Sequence, residues 1–282
     1  MTQRLKGKAA VVTGGGAGIG RGISLALAEE GAKVVVNDIS HDSADKVVGE
    51  ITKANGTAVA NYDSVDSVQA GENIIKTATS NFGRIDILVN CAGNFQLNPA
   101  TEMTEEIWDS IIGVHVKGHF SCVKAAIPGM LKQKSGRIIN FSSIASFFGS
   151  SCPAYNTAKA GILGFTGALS RDLKEYGITA NAILPSAVTQ LFPFEERKGF
   201  LDDNMPVSPC LDPDYIAPLV AYLATDEARA VTGKFFHASG GDICIYATPF
   251  QLPGEAHMFI RKADKWTVDE LSEIIPELLG LD

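Results

Sequence analysis

Paired cysteines, clustered metal ligands, a membrane-length apolar run and a basic patch are all missing from this 282-residue sequence. The five cysteines, Cys91, Cys122, Cys152, Cys210 and Cys244, are an odd number with no C-x-x-C pair, so neither a disulfide framework nor a zinc ribbon is expected. They read as reduced, mostly buried thiols. The five histidines, His41, His115, His119, His237 and His257, have no ligand spacing, so no metal is expected. No apolar run approaches the ~18 residues that span a bilayer, and no membrane partner is expected. A net charge of −8 without a Lys/Arg cluster argues against a nucleic-acid surface, which must neutralise phosphates. The start, MTQRLKGKAA, leads into a strand without the apolar core and cleavage site of a secretory signal; a cytoplasmic location is expected.

Glycine, by contrast, is concentrated where it matters. In Val11–Gly20, VVTGGGAGIG, an apolar strand meets a helix through a glycine cluster. Glycines allow a sharp turn and close backbone approach, and the unpaired N–H groups of the following helix attract a pyrophosphate. The spacing is T-G-x-x-x-G-x-G rather than G-x-G-x-x-G, and a tight turn with no ligand is the competing reading. The next strand, Lys33–Asn37, ends at Asp38, twenty residues after Gly18. An acid at that distance accepts hydrogen bonds from the ribose diol of NAD and repels the 2′-phosphate of NADP. Neither Asn37 nor Ile39 offers NADP a cation, so NAD is the expected cofactor.

Apolar strands alternate with helical patterns along most of the chain. Strands are predicted at 58–62, 85–90, 137–141, 179–184 and 235–237, with helices between them, including 104–132 and 154–175. With the strand before the glycines and Lys33–Asn37 the count is seven, all reached by helical crossovers. That describes an α/β, Rossmann-type doubly wound parallel sheet with helices on both faces, as a single domain over residues 1–245. Residues 188–214, rich in Phe, Pro and acids and following a strand's carboxyl end, read as a substrate lid. Residues 246–282 read as an extension that packs on the body or on a neighbouring subunit.

Tyr155 and Lys159 stand at i, i+4, so both side chains leave one face of the predicted helix. Alone such a pair is weak evidence, since many surface helices carry one. Here it opens a helix directly after the fifth strand, and Ser142 lies at that strand's carboxyl end, which directs all three to one cleft.

At these residues the chain resembles the short-chain dehydrogenase/reductase family over about residues 6–245. Thr13, Gly14, Gly18, Ile19 and Gly20 match its cofactor loop, and Asn90-Cys91-Ala92-Gly93 matches its N-x-A-G motif. Ser142, Tyr155 and Lys159 match its catalytic core, and Asn181 to Pro185 with Val188 and Thr189 its nicotinamide-side motif. The segments VVVNDIS, AVANYDSV, FGRIDILVN, VHVKGHF and DYIAPLVAYLA are similar to the branch of (3R)-hydroxyacyl-CoA dehydrogenase domains found in peroxisomal multifunctional enzymes and bacterial relatives.

The resemblance implies an NAD-dependent oxidoreductase that interconverts a secondary alcohol and a ketone. The implied substrate is an apolar 3-hydroxyacyl-CoA, with a steroid or alicyclic alcohol as the alternative. An inactive cofactor-binding subunit of a hetero-oligomer is a third reading, against which the intact Ser142, Tyr155 and Lys159 argue. In the implied mechanism Lys159 and a cationic nicotinamide favour the phenolate of Tyr155, which exchanges a proton with the reacting oxygen. Ser142 holds that oxygen, and Lys159 also binds the nicotinamide ribose. The family also implies a homotetramer or dimer.

Some positions depart from the pattern. His115 replaces the asparagine that completes a water-linked proton path to the lysine; it either substitutes for it near Lys159 or merely packs beneath the site. Cys91 and Ser186 replace an asparagine and a glycine. Asp63, with Ser64 beside it, is expected to bind the adenine amino group, an Asx-type turn being the alternative. Phe147, Phe148, Leu191, Phe192 and Phe194 suggest an apolar pocket, or else core packing. Arg197 and Lys198 face either CoA phosphates or solvent.

Overall fold

The computed structural model describes residues 3–149, 152–191 and 211–246, which belong to one unit, Met1–Tyr246. Residues 192–210, with Phe192, Phe194, Arg197 and Lys198 of the expected lid, and the extension after Tyr246 lie outside the described residues.

Short, uninterrupted apolar runs form the strands: β1 (Ala9–Thr13), β2 (Lys33–Asn37), β3 (Thr57–Asn61), β4 (Ile87–Asn90), β5 (Gly136–Phe141), β6 (Ile178–Pro185), β7 (Phe235–Ser239) and β8 (Asp242–Tyr246). They pair in the order β3-β2-β1-β4-β5-β6-β7-β8, parallel throughout except for β8. The seven expected parallel strands are therefore present. The expected count falls short by one, because β8 turns back antiparallel against β7 after Gly240 and Gly241.

Alternation along each strand feeds two cores. Val12, Val34, Val36 and Ile87 face α1 (Gly18–Glu29) and α2 (His41–Lys53), where they meet Ile23, Leu27, Val47 and Ile51. Val11, Val35, Leu88 and Ile138 face the other way, against Ile74 of α3 (Val68–Phe82) and Val123 and Met130 of α5 (Gly118–Gln133). Each such fully buried side chain contributes about 1.5–3 kcal/mol, which is why the strands can dispense with a polar face.

The helical stretch expected over 104–132 is present but not uniform. Between α4 (Glu105–Ile112) and α5, residues Gly113–Lys117 form a π-helical turn, a local widening often found at functional sites. It carries His115 inward, where the residue is 1 % exposed. After β5 a short helix, α6 (Ala145–Phe148), precedes α7 (Pro153–Asp172), and α8 (Ala217–Ala224) packs beside α1.

Candidate active site

All seven parallel strands end on one side, and the carboxyl ends of β1, β2, β4, β5 and β6 bound a cavity of about 460 Å³. Parallel α/β sheets bind ligands there because helix N-termini and loops converge on that edge.

One end of the cavity is made of backbone. Gly14, Gly18, Ile19 and Gly20 line it, with Gly14 at φ +64°. A Cβ on Gly20 would collide with the carbonyl oxygen of Gly14, so the turn is closed to any side chain. The helices α2, α3 and α4 begin with Ser40, Ser67 and Thr104, each of which caps a backbone N–H, whereas α1 begins at Ala17 with no side-chain cap. Its first N–H groups remain available to an anion. Asp38, on the rim after β2, accepts from the N–H of Gly16 at 3.1 Å and of Ser40 at 3.0 Å, which orients its carboxylate into the cavity wall. Across the gap Thr189 approaches Gly18, and Pro185 lines the same wall. This cradle and acid fit a dinucleotide.

Other expected cofactor residues sit behind that surface. Thr13 accepts from the N–H groups of Cys91 and Ala92 at 3.1 and 3.2 Å, tying the glycine loop to the segment after β4. Asn90 donates to Asn140 at 2.9 Å, and Asn140 to Thr166 at 2.9 Å, a buried chain joining β4, β5 and α7. Val188 donates to the carbonyl of Leu211 at 2.8 Å. Gly93 lines the cavity, and a Cβ there would lie 2.7 Å from His115 Cε1. Asp63 borders a separate polar groove with Asn73 and Lys76. Its carboxylate accepts from Asn61 at 2.8 Å and Asn73 at 3.1 Å, and Ser64 beside it is half-buried.

The other end is made of side chains. Tyr155 is 6 % exposed and lies edge-to-face with Phe95 at 5.2 Å and with His115 at 5.4 Å between ring centroids. Lys159 Nζ stands 5.5 Å from the Tyr155 ring centroid and donates to the carbonyl of Phe141 at 2.8 Å. In return Ser142 Oγ donates to the carbonyl of Lys159 at 2.7 Å, so β5 and α7 hold each other by two reciprocal bonds. Ser142 Oγ also meets Ser146 Oγ at 2.7 Å. The side chain of Ser143 acts on the Tyr155 hydroxyl in the sense that favours its ionised form.

Burial dominates the electrostatics. It raises the pKa of Tyr155, against the Ser143 hydrogen bond, which lowers it. It lowers Lys159 to about 8 and pushes the Cys91 thiol up to about 12. His115 is held well below its ordinary value by burial and then by Lys159, and His119 is lowered to about 3 by the same two causes. Both imidazoles are therefore neutral. His115 Nε2 lies 2.8 Å from the carbonyl of Asn94, while its Nδ1 and His119 Nε2 are buried without a hydrogen-bond partner.

The remaining lining mixes apolar side chains with the polar Ser186 and Gln190. Phe95, Ile144, Ala187 and Leu191 are among its apolar members, and among the described residues Asp38 and Lys159 are the charged ones. Phe147 packs instead on Leu163, Leu184 and Phe235. Sequence reasoning passed over Phe95, His119 and Ser143. Only Ser143 had a signal, as one of two adjacent serines at the end of β5.

Residues 8–194 match the family model described as short chain dehydrogenase. The chain belongs to that family. As a short chain dehydrogenase it is an oxidoreductase, of a kind that typically uses a nicotinamide cofactor. It is 41 % identical over 244 residues to the 3-oxoacyl-(acyl-carrier-protein) reductase FabG of Staphylococcus aureus, covering 83 % of this chain and 97 % of that one. It is 40 % identical over 252 residues to the peroxisomal hydratase-dehydrogenase-epimerase of Neurospora crassa, and 39 % over 247 residues to the peroxisomal multifunctional enzyme type 2 of Mus musculus. Those matches cover 85 % and 84 % of this chain but only 27 % and 32 % of the two longer relatives. Among solved structures, a short chain dehydrogenase from Mycobacterium avium superposes with a TM-score of 0.84 at 38 % identity, covering 98 % of this chain and 96 % of that one. Among the described residues no helix is long and apolar enough to cross a membrane.

Proposed function

We propose that this short chain dehydrogenase uses NAD to interconvert an apolar secondary alcohol and its ketone, a 3-hydroxyacyl-CoA and its 3-oxo product being the substrate pair. The observation that carries the reading is a single cavity with Asp38 and the glycine loop at one end and Tyr155, Lys159 and apolar walls at the other. The name of FabG, a 3-oxoacyl reductase, supports an acyl substrate, and that of the Neurospora crassa relative supports a dehydrogenase.

In this reading the N–H groups at the start of α1 receive the pyrophosphate and Asp38 the adenosine ribose, which disfavours a 2′-phosphate there. Thr189, Pro185 and Val188 border the nicotinamide, which when bound supplies the two-electron exchange by taking or returning a hydride. Asn90, Ala92 and Gly93 support that floor, and Asp63 and Ser64 stand toward the adenine. Lys159 binds the second ribose and, as an ammonium, offsets the burial that opposes a phenolate at Tyr155. Tyr155 then takes the hydroxyl proton in oxidation and returns it in reduction. The serines at the end of β5, Ser142 in the family pattern, receive the reacting oxygen. His115, neutral and fixed by Asn94, presents Nδ1 toward a proton path from Lys159. A cytoplasmic homotetramer or dimer completes the reading.

The test is NADH absorbance with a panel of 3-hydroxyacyl-CoA esters, steroid alcohols and alicyclic alcohols, each offered with NAD and NADP. Turnover of the acyl esters with NAD is the expected result. Activity confined to free alcohols, or a preference for NADP, would overturn the corresponding half of the proposal.

A further inference from the structure

We propose that Asn61 is the positioning residue of the adenosine end: its amide orients the Asp63 carboxylate for the adenine and ties it to the segment that carries Asp38. The proposal rests on the dinucleotide reading of the cavity and names what holds the two acids in one frame.

Asn37 and Asn61 are the last residues of β2 and β3 and stand opposite each other in the parallel register. Both end largely apolar strands, and at 1 % and 8 % exposed both are buried. A buried amide must find partners for two protons and two lone pairs, and the amide of Asn61 finds all four. Its Oδ1 accepts from Asn37 Nδ2 at 2.8 Å and from the Asp63 N–H at 3.1 Å. Its Nδ2 donates to Asp63 Oδ2 at 2.8 Å and to Thr77 Oγ1 at 3.0 Å. Turning the amide over would set its oxygen against the Asp63 carboxylate and its nitrogen against Asn37 Nδ2, so only one orientation is satisfied.

Both acids hang from this hub. Asp38 donates its N–H to the Asn61 carbonyl at 3.0 Å, and Asn37, the residue before it, donates to the Asp63 carbonyl at 2.8 Å. From α3, Asn73 donates to Asp63 Oδ1 at 3.1 Å, and Thr77 donates to the Asn73 carbonyl at 3.0 Å. Each carboxylate oxygen of Asp63 thus holds one protein proton and retains capacity to accept another, beside the groove that Asn73 and Lys76 also line. An ionised carboxylate only accepts, which suits the amino group of an adenine. The Asp38 carboxylate is set separately, by the N–H groups of Gly16 and Ser40, so a change at the Asn61 amide acts on Asp63 first. The strands do not need that amide to pair, since their backbones already run in register from Lys33 and Thr57 onward.

The test is calorimetric titration of the full chain with ADP-ribose, which carries the adenosine and pyrophosphate, beside fluorescence titration with reduced nicotinamide mononucleotide, which carries the other half. Wild type, Asn61→Asp and Asn61→Ser are compared, with thermal melting alongside. Asn61→Asp keeps the shape and both accepting contacts but turns the donation to Asp63 into repulsion, and the ADP-ribose Kd is expected to rise at least tenfold. Asn61→Ser adds no charge, separates lost positioning from added repulsion, and should raise that Kd by roughly three- to tenfold. The mononucleotide Kd should stay within about twofold in both variants, because its site is distant. An unchanged ADP-ribose Kd in both would overturn the proposal. So would an equal loss for the two halves with a lowered melting temperature, which describes a loosened fold. Should Asn61→Asp not fold, Asn61→Ser gives the same split. A wild-type chain that bound neither probe would refute the dinucleotide reading and this assignment with it, whereas wild-type binding with unmoved variants refutes the assignment alone.

Discussion

The two ends of the cavity are built from different materials. At the end nearest α1 the working surface is main chain: Gly14, Gly18 and Gly20, uncapped N–H groups, and one oriented carboxylate, Asp38. At the Tyr155 end it is side chain, and burial moves Tyr155, Lys159 and His115 away from their ordinary pKa values. The first end is defined by the absence of atoms, so additions damage it. The second depends on which groups stay neutral, so removals damage it.

The difference can be broken most severely at the side-chain end. Tyr155→Phe removes the proton carrier but little volume, and turnover should fall about 10³-fold while NADH binding is kept. Initial rates with a parallel fluorescence titration separate the two. A comparable loss of NADH binding would mean that Tyr155 serves the cofactor rather than the proton. At the backbone end the reverse substitution, Gly20→Ala, places a Cβ against the Gly14 carbonyl. NADH affinity should fall by more than tenfold and stability by roughly 1–3 kcal/mol, read by titration and thermal melting. An unperturbed Kd would show that the loop yields.

The smallest effect sharpens the comparison through pH. His119 has a folded pKa of about 3 against the ordinary 6.5, so the unfolded chain binds the extra proton first. Stability from this residue is complete above pH 6.5 and declines as pH falls toward 3, by an amount on the order of a few kcal/mol. His119→Gln should flatten the acid arm of a stability-versus-pH curve measured by urea unfolding. A curve that keeps its slope would assign acid sensitivity elsewhere, His115 being the next candidate since it shifts in the same direction.

Much of this was legible in the residues. β2 has the predicted bounds of Lys33–Asn37, because three valines between Lys33 and Asn37 leave no other period. The glycine loop, Asp38, Ser142, Tyr155 and Lys159 were brought to one cavity because each lies at a strand's carboxyl end or in the first two turns of the long helix that leads to the next strand. β8 escaped because its residues are largely exposed and its partner lies only across Gly240 and Gly241. The π turn escaped because one added residue per turn leaves no trace in apolar spacing. The carboxylate of Asp63 is claimed by Asn73 from α3, a tertiary contact that no local pattern announces. Ser142 and Ser143 are the same residue type side by side, and only their partners separate them: the Lys159 carbonyl and Ser146 for the first, the Ala145 N–H for the second.

The reciprocal bonds between Ser142 and the Lys159 carbonyl, and between Lys159 Nζ and the Phe141 carbonyl, close the chain from Phe141 to Lys159 into a ring clasped at its base. Such a clasp couples the carboxyl end of β5 to the first two turns of α7, so a shift of either element carries Ser142 and Lys159 together.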